Sequence, residues 1–144
     1  MKLLAPLIAA LAMSAQATGL PVVDVYKNPA CGCCGGWEKH LRDAGFSVRS
    51  HTMDDVSVMR RRLGMPQTYA SCHIATVGKY LIEGHVPAAD VRRLMREHPD
   101  AIGLAAPGMP SGSPGMESPS PVSYDVLLIT KTGEARTFQH HPAR

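Results

Sequence analysis

The chain of 144 residues is poor in aromatics: two Phe, four Tyr and a single Trp make up 5% of it. Its basic groups, Arg60-Arg61-Arg62 and Arg92, Arg93 and Arg96, have no interleaved rings on which bases would stack, and they read as solvated helix faces. An excess of one charge is lacking too. Lys and Arg number 15 against 12 Asp and Glu, a balance that favours neither nucleic acid nor an anionic membrane as partner. Beyond the first nineteen residues no apolar run approaches the roughly 20 residues needed to cross a bilayer. Internal repeats are absent. Cysteine is sparse at four per chain, and a chain of this size buries a core without disulfide staples, so stabilisation does not explain where the cysteines stand.

What is present begins with MKLLAPLIAALAMSAQATG. Lys2, an apolar run from Leu3 to Met13 and the small-x-small step Ala15-Gln16-Ala17 read as a secretory signal peptide over residues 1–17, cut after Ala17. The mature chain is then exported and free of any membrane span, in the periplasm of a Gram-negative cell, where thiols meet an oxidising environment.

Residues 18–106 read as one α/β domain. Residues 20–26 (LPVVDVY) are a buried strand, and Trp37, Leu41 and Ala44 have helical spacing over 34–44, with Gly45 placed to cap. Residues 46–53 (FSVRSHTM) alternate as a second strand. Asp54 or Asp55 then caps a helix carrying Val56, Met59 and Leu63 that stops at Gly64. Residues 74–77 and 80–83, joined by Gly78-Lys79, form a hairpin. A helix follows from Pro87, striped with Val91, Leu94 and Met95, and ends before Pro99. Strand, helix, strand, helix, hairpin, helix is the order of a thioredoxin-like mixed sheet with flanking helices. Residues 107–144 form a C-terminal extension: a Pro/Gly/Ser segment, PGMPSGSPGMESPSP, that carries Met109 and Met116, then a terminal β-hairpin of 124–130 and 135–139 that folds back on the domain.

The chemistry concentrates in KNPACGCCGGWEKHL, residues 27–41. Cys31 and Cys34 form a C-x-x-C pair between a strand and a helix N-terminus, where thiolate is favoured. Cys33 adds a third thiol, and a bridge between the adjacent Cys33 and Cys34 would be strained. Cys72, in Ser71-Cys72-His73, lies at the entrance to the hairpin, and His85 follows its end in Glu83-Gly84-His85. Four thiolates and an imidazole repel one another unless protons or a soft cation neutralise them, and Cu(I), Zn(II) and iron–sulfur clusters are the ions that thiolates suit. Structural zinc prefers paired C-x₂₋₄-C or His spacings, which C-x-C-C with one distant Cys does not supply. Copper takes thiolate, imidazole and thioether together, which gives Met109 and Met116 a place as ligands or as a lid. Two structural disulfides, one of them Cys31–Cys34, are the competing reading. His40 and His51 read as surface residues, His98 as loop, and His140 and His141 as a terminal pair.

CGCCGGW at 31–37, SCH at 71–73, EGHVP at 83–87 and GLAAPGMPSGSPGM at 103–116 together resemble the CopG-type family of copper-resistance proteins. The resemblance covers nearly all of the mature chain. It implies a thioredoxin-like domain whose C-terminal extension contributes to metal binding, a multinuclear copper cluster bridged by cysteine sulfurs, and a redox role interconverting Cu(I) and Cu(II) in copper resistance. Carried onto this chain, Cys31, Cys33, Cys34 and Cys72 take the cluster-thiolate positions, with His73, His85, Met109 and Met116 as further candidate ligands. Partners are then copper ions and periplasmic copper-export or copper-carrier proteins. Two other functions remain open on the residues: a copper chaperone or storage module without redox turnover, and a metal-free thiol–disulfide oxidoreductase using Cys31 and Cys34.

Overall fold

A computed structural model describes residues 19–144, so the expected leader at 1–17 lies outside the described residues. The chain is α/β: seven strands form one mixed sheet, and three α-helices pack on it among the described residues. Strands β1 (Val23–Lys27), β2 (Val48–Thr52), β3 (His73–Val77), β4 (Tyr80–Gly84), β5 (Ala101–Ala106), β6 (Tyr124–Thr130) and β7 (Ala135–His141) are ordered β2-β1-β3-β4-β5-β6-β7. β1 runs parallel to β2, and β4 runs parallel to β5. All other neighbours are antiparallel. None of the helices among the described residues is long and apolar enough to cross a membrane.

Alternation along the strands sends side chains to two separate cores. On one face Val23, Val25 and Ile82 pack with Trp37 and Leu41 of α1 (Gly32–Asp43) and with Val91 and Leu94 of α3 (Ala88–Glu97). On the other, Ile74, Leu81 and Ile129 pack with Val56, Met59 and Leu63 of α2 (Val56–Leu63). Three glycines and two cysteines in its first turns make α1 an indifferent helix by propensity. Its tertiary face compensates: Cys34, Trp37, Glu38 and Leu41, spaced i, i+3, i+4 and i+7, are all buried. The helix ends where the sequence places the cap, with Phe46 N–H donating to Leu41 O at 3.0 Å and Gly45 N–H to Arg42 O at 2.9 Å, the paired closure of a left-handed C-terminus. Asp55 caps α2 by accepting from Ser57 N–H at 2.8 Å, and Gly64 ends it.

Two features depart from the sequence reading. β5, AIGLAA, is a strand that periodicity did not reveal, and it joins the hairpin β3–β4 to the terminal hairpin β6–β7 in one continuous sheet. Arg60, read as part of a solvated face, is 4% exposed. Its guanidinium forks onto Glu83 near the end of β4, with Nε donating to Oε2 at 2.9 Å and Nη2 to Oε1 at 2.8 Å. A charge this deep persists only when paired and fully bonded, and both conditions are met here.

Candidate metal centre

Register decides which loops meet. Lys27 at the end of β1 lies opposite His73 at the start of β3, Ile74 pairs with Glu83 near the end of β4, and Gly84 pairs with Ala106 at the end of β5. The loop carrying Cys31, the approach to Cys72, the exit to His85 and the segment after Ala106 therefore all emerge at the same end of the sheet. α1 starts there as well, bringing Cys33 and Cys34 in its first turn.

The four sulfurs form a closed ring. Cys31 and Cys34 are joined by a disulfide, while Cys33 and Cys72 are free. Cys31 Sγ lies 3.5 Å from Cys33 Sγ, Cys33 Sγ 3.7 Å from Cys72 Sγ, and Cys72 Sγ 3.6 Å from Cys34 Sγ. Cys72 also belongs to a second donor set. Its sulfur is 3.0 Å from His85 Nε2 and 3.4 Å from His73 Nδ1, and the donor atoms within each set, Cys31/Cys33/Cys34/Cys72 and Cys72/His73/His85, lie within 4.8 Å of one another. Of the two disulfides in the competing reading only the Cys31–Cys34 bridge occurs among the described residues, and two thiols and two imidazoles stay gathered beside it.

Protonation follows from this setting. Burial, reinforced by the neighbouring Cys33, pushes the Cys72 thiol up to about 12. Burial takes His73 down to about 3, with His85 adding to the shift, and burial likewise lowers His85. Without a cation the centre holds a protonated thiol at Cys72 and neutral rings. His85 Nδ1–H donates to Pro114 O at 2.7 Å, so Nε2 carries the lone pair and faces Cys72. An imidazole fixed through its far nitrogen to a carbonyl is the arrangement that orients a metal ligand. His73 Nε2 is buried with no hydrogen-bond partner among the described residues, which is costly for a polar atom unless something else meets it. Soft sulfurs, an oriented imidazole and an orphaned ring nitrogen fit a thiophilic cation.

Supporting contacts fix the loops. Glu83 Oε1 accepts from Ser71 N–H at 2.7 Å while Arg60 Nη2 donates to Ser71 O at 2.8 Å, so the buried ion pair clamps both peptide groups of Ser71, the residue before Cys72. Ser71 Oγ donates to Gly108 O, and Trp37 Nε1–H donates to Val86 O at 2.8 Å while its ring lies 4.4 Å from that of His73. His40 Nε2 accepts from Ala88 N–H at 3.0 Å and so caps α3, rather than lying free on a helix surface. Met116 is half-buried in the 107–121 segment, and Met109 is 54% exposed. The sequence signal for Glu83 is a single acid in the otherwise apolar run YLIEG. Arg60 gives none, because its partner lies 23 residues away.

The 107–121 segment seats on α1 through Gly115. At φ +84° a Cβ here would lie 2.6 Å from Trp37 N and 2.7 Å from Cys33 O. G115A is expected to lower stability by about 1–3 kcal/mol and to open this segment to proteolysis. G35A, whose added methyl meets nothing within 4 Å in a helix, is expected to raise stability by about 0.5–1 kcal/mol. Urea midpoints of the metal-free proteins check both, and equal midpoints would contradict the seating.

Two solved structures of the copper resistance protein copG are similar to this chain over its length. Form 1 shares 42% identity at a TM-score of 0.81, covering 86% of this chain and 99% of the other. Form 2 shares 43% at 0.81, covering 85% and 99%. The chain belongs to the CopG copper-resistance family. A family model described as "Protein of unknown function, DUF411" matches residues 69–116, the span from the approach to Cys72 through Met116. No curated protein matches the chain. Membership of the CopG family and the Cys/His cluster together support copper binding.

Proposed function

We propose that the chain holds a cysteine-bridged, multinuclear copper cluster on Cys31, Cys33, Cys34 and Cys72, with His73 and His85 completing it, and that it serves copper resistance by interconverting Cu(I) and Cu(II). The observation that carries this reading is the junction of an all-sulfur set and a sulfur–imidazole set at one atom, Cys72 Sγ. Thiolates favour Cu(I), whereas imidazole also suits copper in its higher state, so a shared sulfur would let charge change with little ligand movement. Met116, and Met109 from its exposed position, would close the site as soft ligands or a lid. The βαβ unit of β1, α1 and β2 followed by the β3–β4 hairpin and α3 reads as thioredoxin-like. The leader at 1–17 would deliver the protein to the periplasm, where copper-export or copper-carrier proteins would be its partners.

The test is to load the reduced mature protein with Cu(I), remove loose metal and cycle it with a mild oxidant and reductant. Return to the starting spectrum with copper retained is expected. Loss of copper on oxidation would favour a chaperone or storage module instead. A metal-free thiol–disulfide oxidoreductase is the reading favoured by the Cys31–Cys34 bridge. It requires C33S and C72S to keep full disulfide-reductase activity.

Uptake is expected to depend on pH. Cys72, held near 12, must lose its proton to ligate, and each proton displaced changes apparent affinity about tenfold per pH unit. Cu(I) affinity should therefore rise at least about 100-fold between pH 6 and pH 8 and weaken on acidification. Competition against a chromophoric Cu(I) chelator measures it, and a flat profile would remove Cys72 from the ligand set.

A further inference from the structure

The sulfur ring divides into two pairs with different surroundings. Cys31 and Cys34 are bonded, with Cα atoms 5.5 Å apart. Cys33 and Cys72 remain free, and Cys72 keeps His85 and His73 beside it. Each bonded sulfur touches one free sulfur: Cys31 faces Cys33 at 3.5 Å, and Cys34 faces Cys72 at 3.6 Å. Closing the first pair removes two sulfurs from any ligand set, yet two thiols and two imidazoles stay in place to hold a soft ion.

We propose that Cys31 and Cys34 are an internal two-electron donor for copper, an inference that rests on the copper-binding reading above. In its dithiol form the pair reduces two Cu(II) to two Cu(I). Each sulfur gives one electron, the Cys31–Cys34 bond forms, and two protons leave. The Cu(I) product stays on Cys33 and Cys72 with the imidazoles, a donor set that suits the lower oxidation state. The sulfur contacts give the electrons a direct route from the pair to the retained ligands. Resetting the pair takes an external dithiol. Its thiolate attacks Cys31 Sγ, since Cys31 is half-exposed whereas Cys34 is fully buried. Cys34 then leaves as thiolate within the first turn of α1, where the helix N-terminus stabilises it. The second thiol of the reductant resolves the mixed disulfide, so two electrons enter as two leave. The bridge is accordingly a redox couple, and its state sets how many sulfurs the centre offers.

The experiment mixes the fully reduced mature protein with excess Cu(II) sulfate under argon, with no other reductant. It reads Cu(I) formed, thiols remaining and the disulfide found by peptide mapping. Expected are about two Cu(I) per chain, a fall from four thiols to two, and a single Cys31–Cys34 bridge. Retention of all four thiols, or a bridge distributed among the four cysteines as in the urea-unfolded chain, overturns the inference. C31S is expected to form at least about tenfold less Cu(I) in the same interval. Yield equal to that of the unsubstituted chain would overturn the assignment, and the mapping result does not depend on that variant folding. A parallel arm supplies Cu(I) directly. Copper kept with all thiols reduced, but Cu(II) not reduced in the main arm, sinks only this inference, whereas failure to keep Cu(I) sinks the copper-binding reading itself.

Discussion

Replacing Glu83 with Gln is expected to cost about 3–5 kcal/mol of folding stability. The substitution preserves shape but leaves the Arg60 charge, 4% exposed, facing a neutral amide in the sheet interior. Such a loss is a large share of the 5–15 kcal/mol that holds a typical domain together. R60M should cost a comparable amount, because it strands the carboxylate. The double variant R60M/E83Q should cost less than the sum by about 0.5–3 kcal/mol, since the two groups act as one unit. Urea denaturation of the metal-free proteins measures all three. Single variants costing under about 1 kcal/mol, or strictly additive effects, would show that the pair is not a clamp. Because Ser71 N and O are both tied to it, E83Q should also loosen Cys72 and weaken copper binding in conditions where the protein remains folded.

The second large effect is on the metal. C72S is expected to lower copper affinity by at least about 100-fold, beyond the 10–100-fold typical of losing an outer partner of a ligand. The reason is positional: Cys72 is the donor common to both sets, so its loss separates the sulfur ring from His73 and His85. M109A, at a side chain 54% exposed, should lose less than about tenfold. Chelator competition with Cu(I), together with metal analysis after desalting, distinguishes them. C72S binding copper like the unsubstituted chain would dismiss the shared-donor arrangement.

Much of this architecture is legible in the residues because its signals are local. Gly45 and Gly64 end helices where they stand, Asp55 caps, and the short apolar run in YDVLLIT with the turn after it announces the last hairpin. β5 was illegible because AIGLAA has neither alternation nor a β-branched run. Its identity as a strand comes from lying between β4 and β6, a tertiary cause. The sulfurs of C-x-C-C are evident in one short stretch, and the SCH and EGH motifs flag their neighbours. What the spacing could not reveal is which atoms meet: that Cys72 joins two sets, that a proline carbonyl aims His85, and that one arginine of a basic triplet turns inward. Each of these depends on register between strands far apart in sequence.

That same register has a consequence in time. Cys33 meets Cys72 only after β1 has paired with β3, and His85 is aimed only when the segment between β5 and β6 has closed over α1 to present Pro114. Contacts between such distant stretches are the slow ones to form. A nascent chain, read out from its N-terminus, displays CGCC well before any of the residues that complete the centre exist. Metal arriving during synthesis would find three sulfurs in a flexible peptide, whereas metal arriving afterwards finds an assembled site. Completion of the site thus waits on folding, because the residues that meet at it are spread from Cys31 to Pro114.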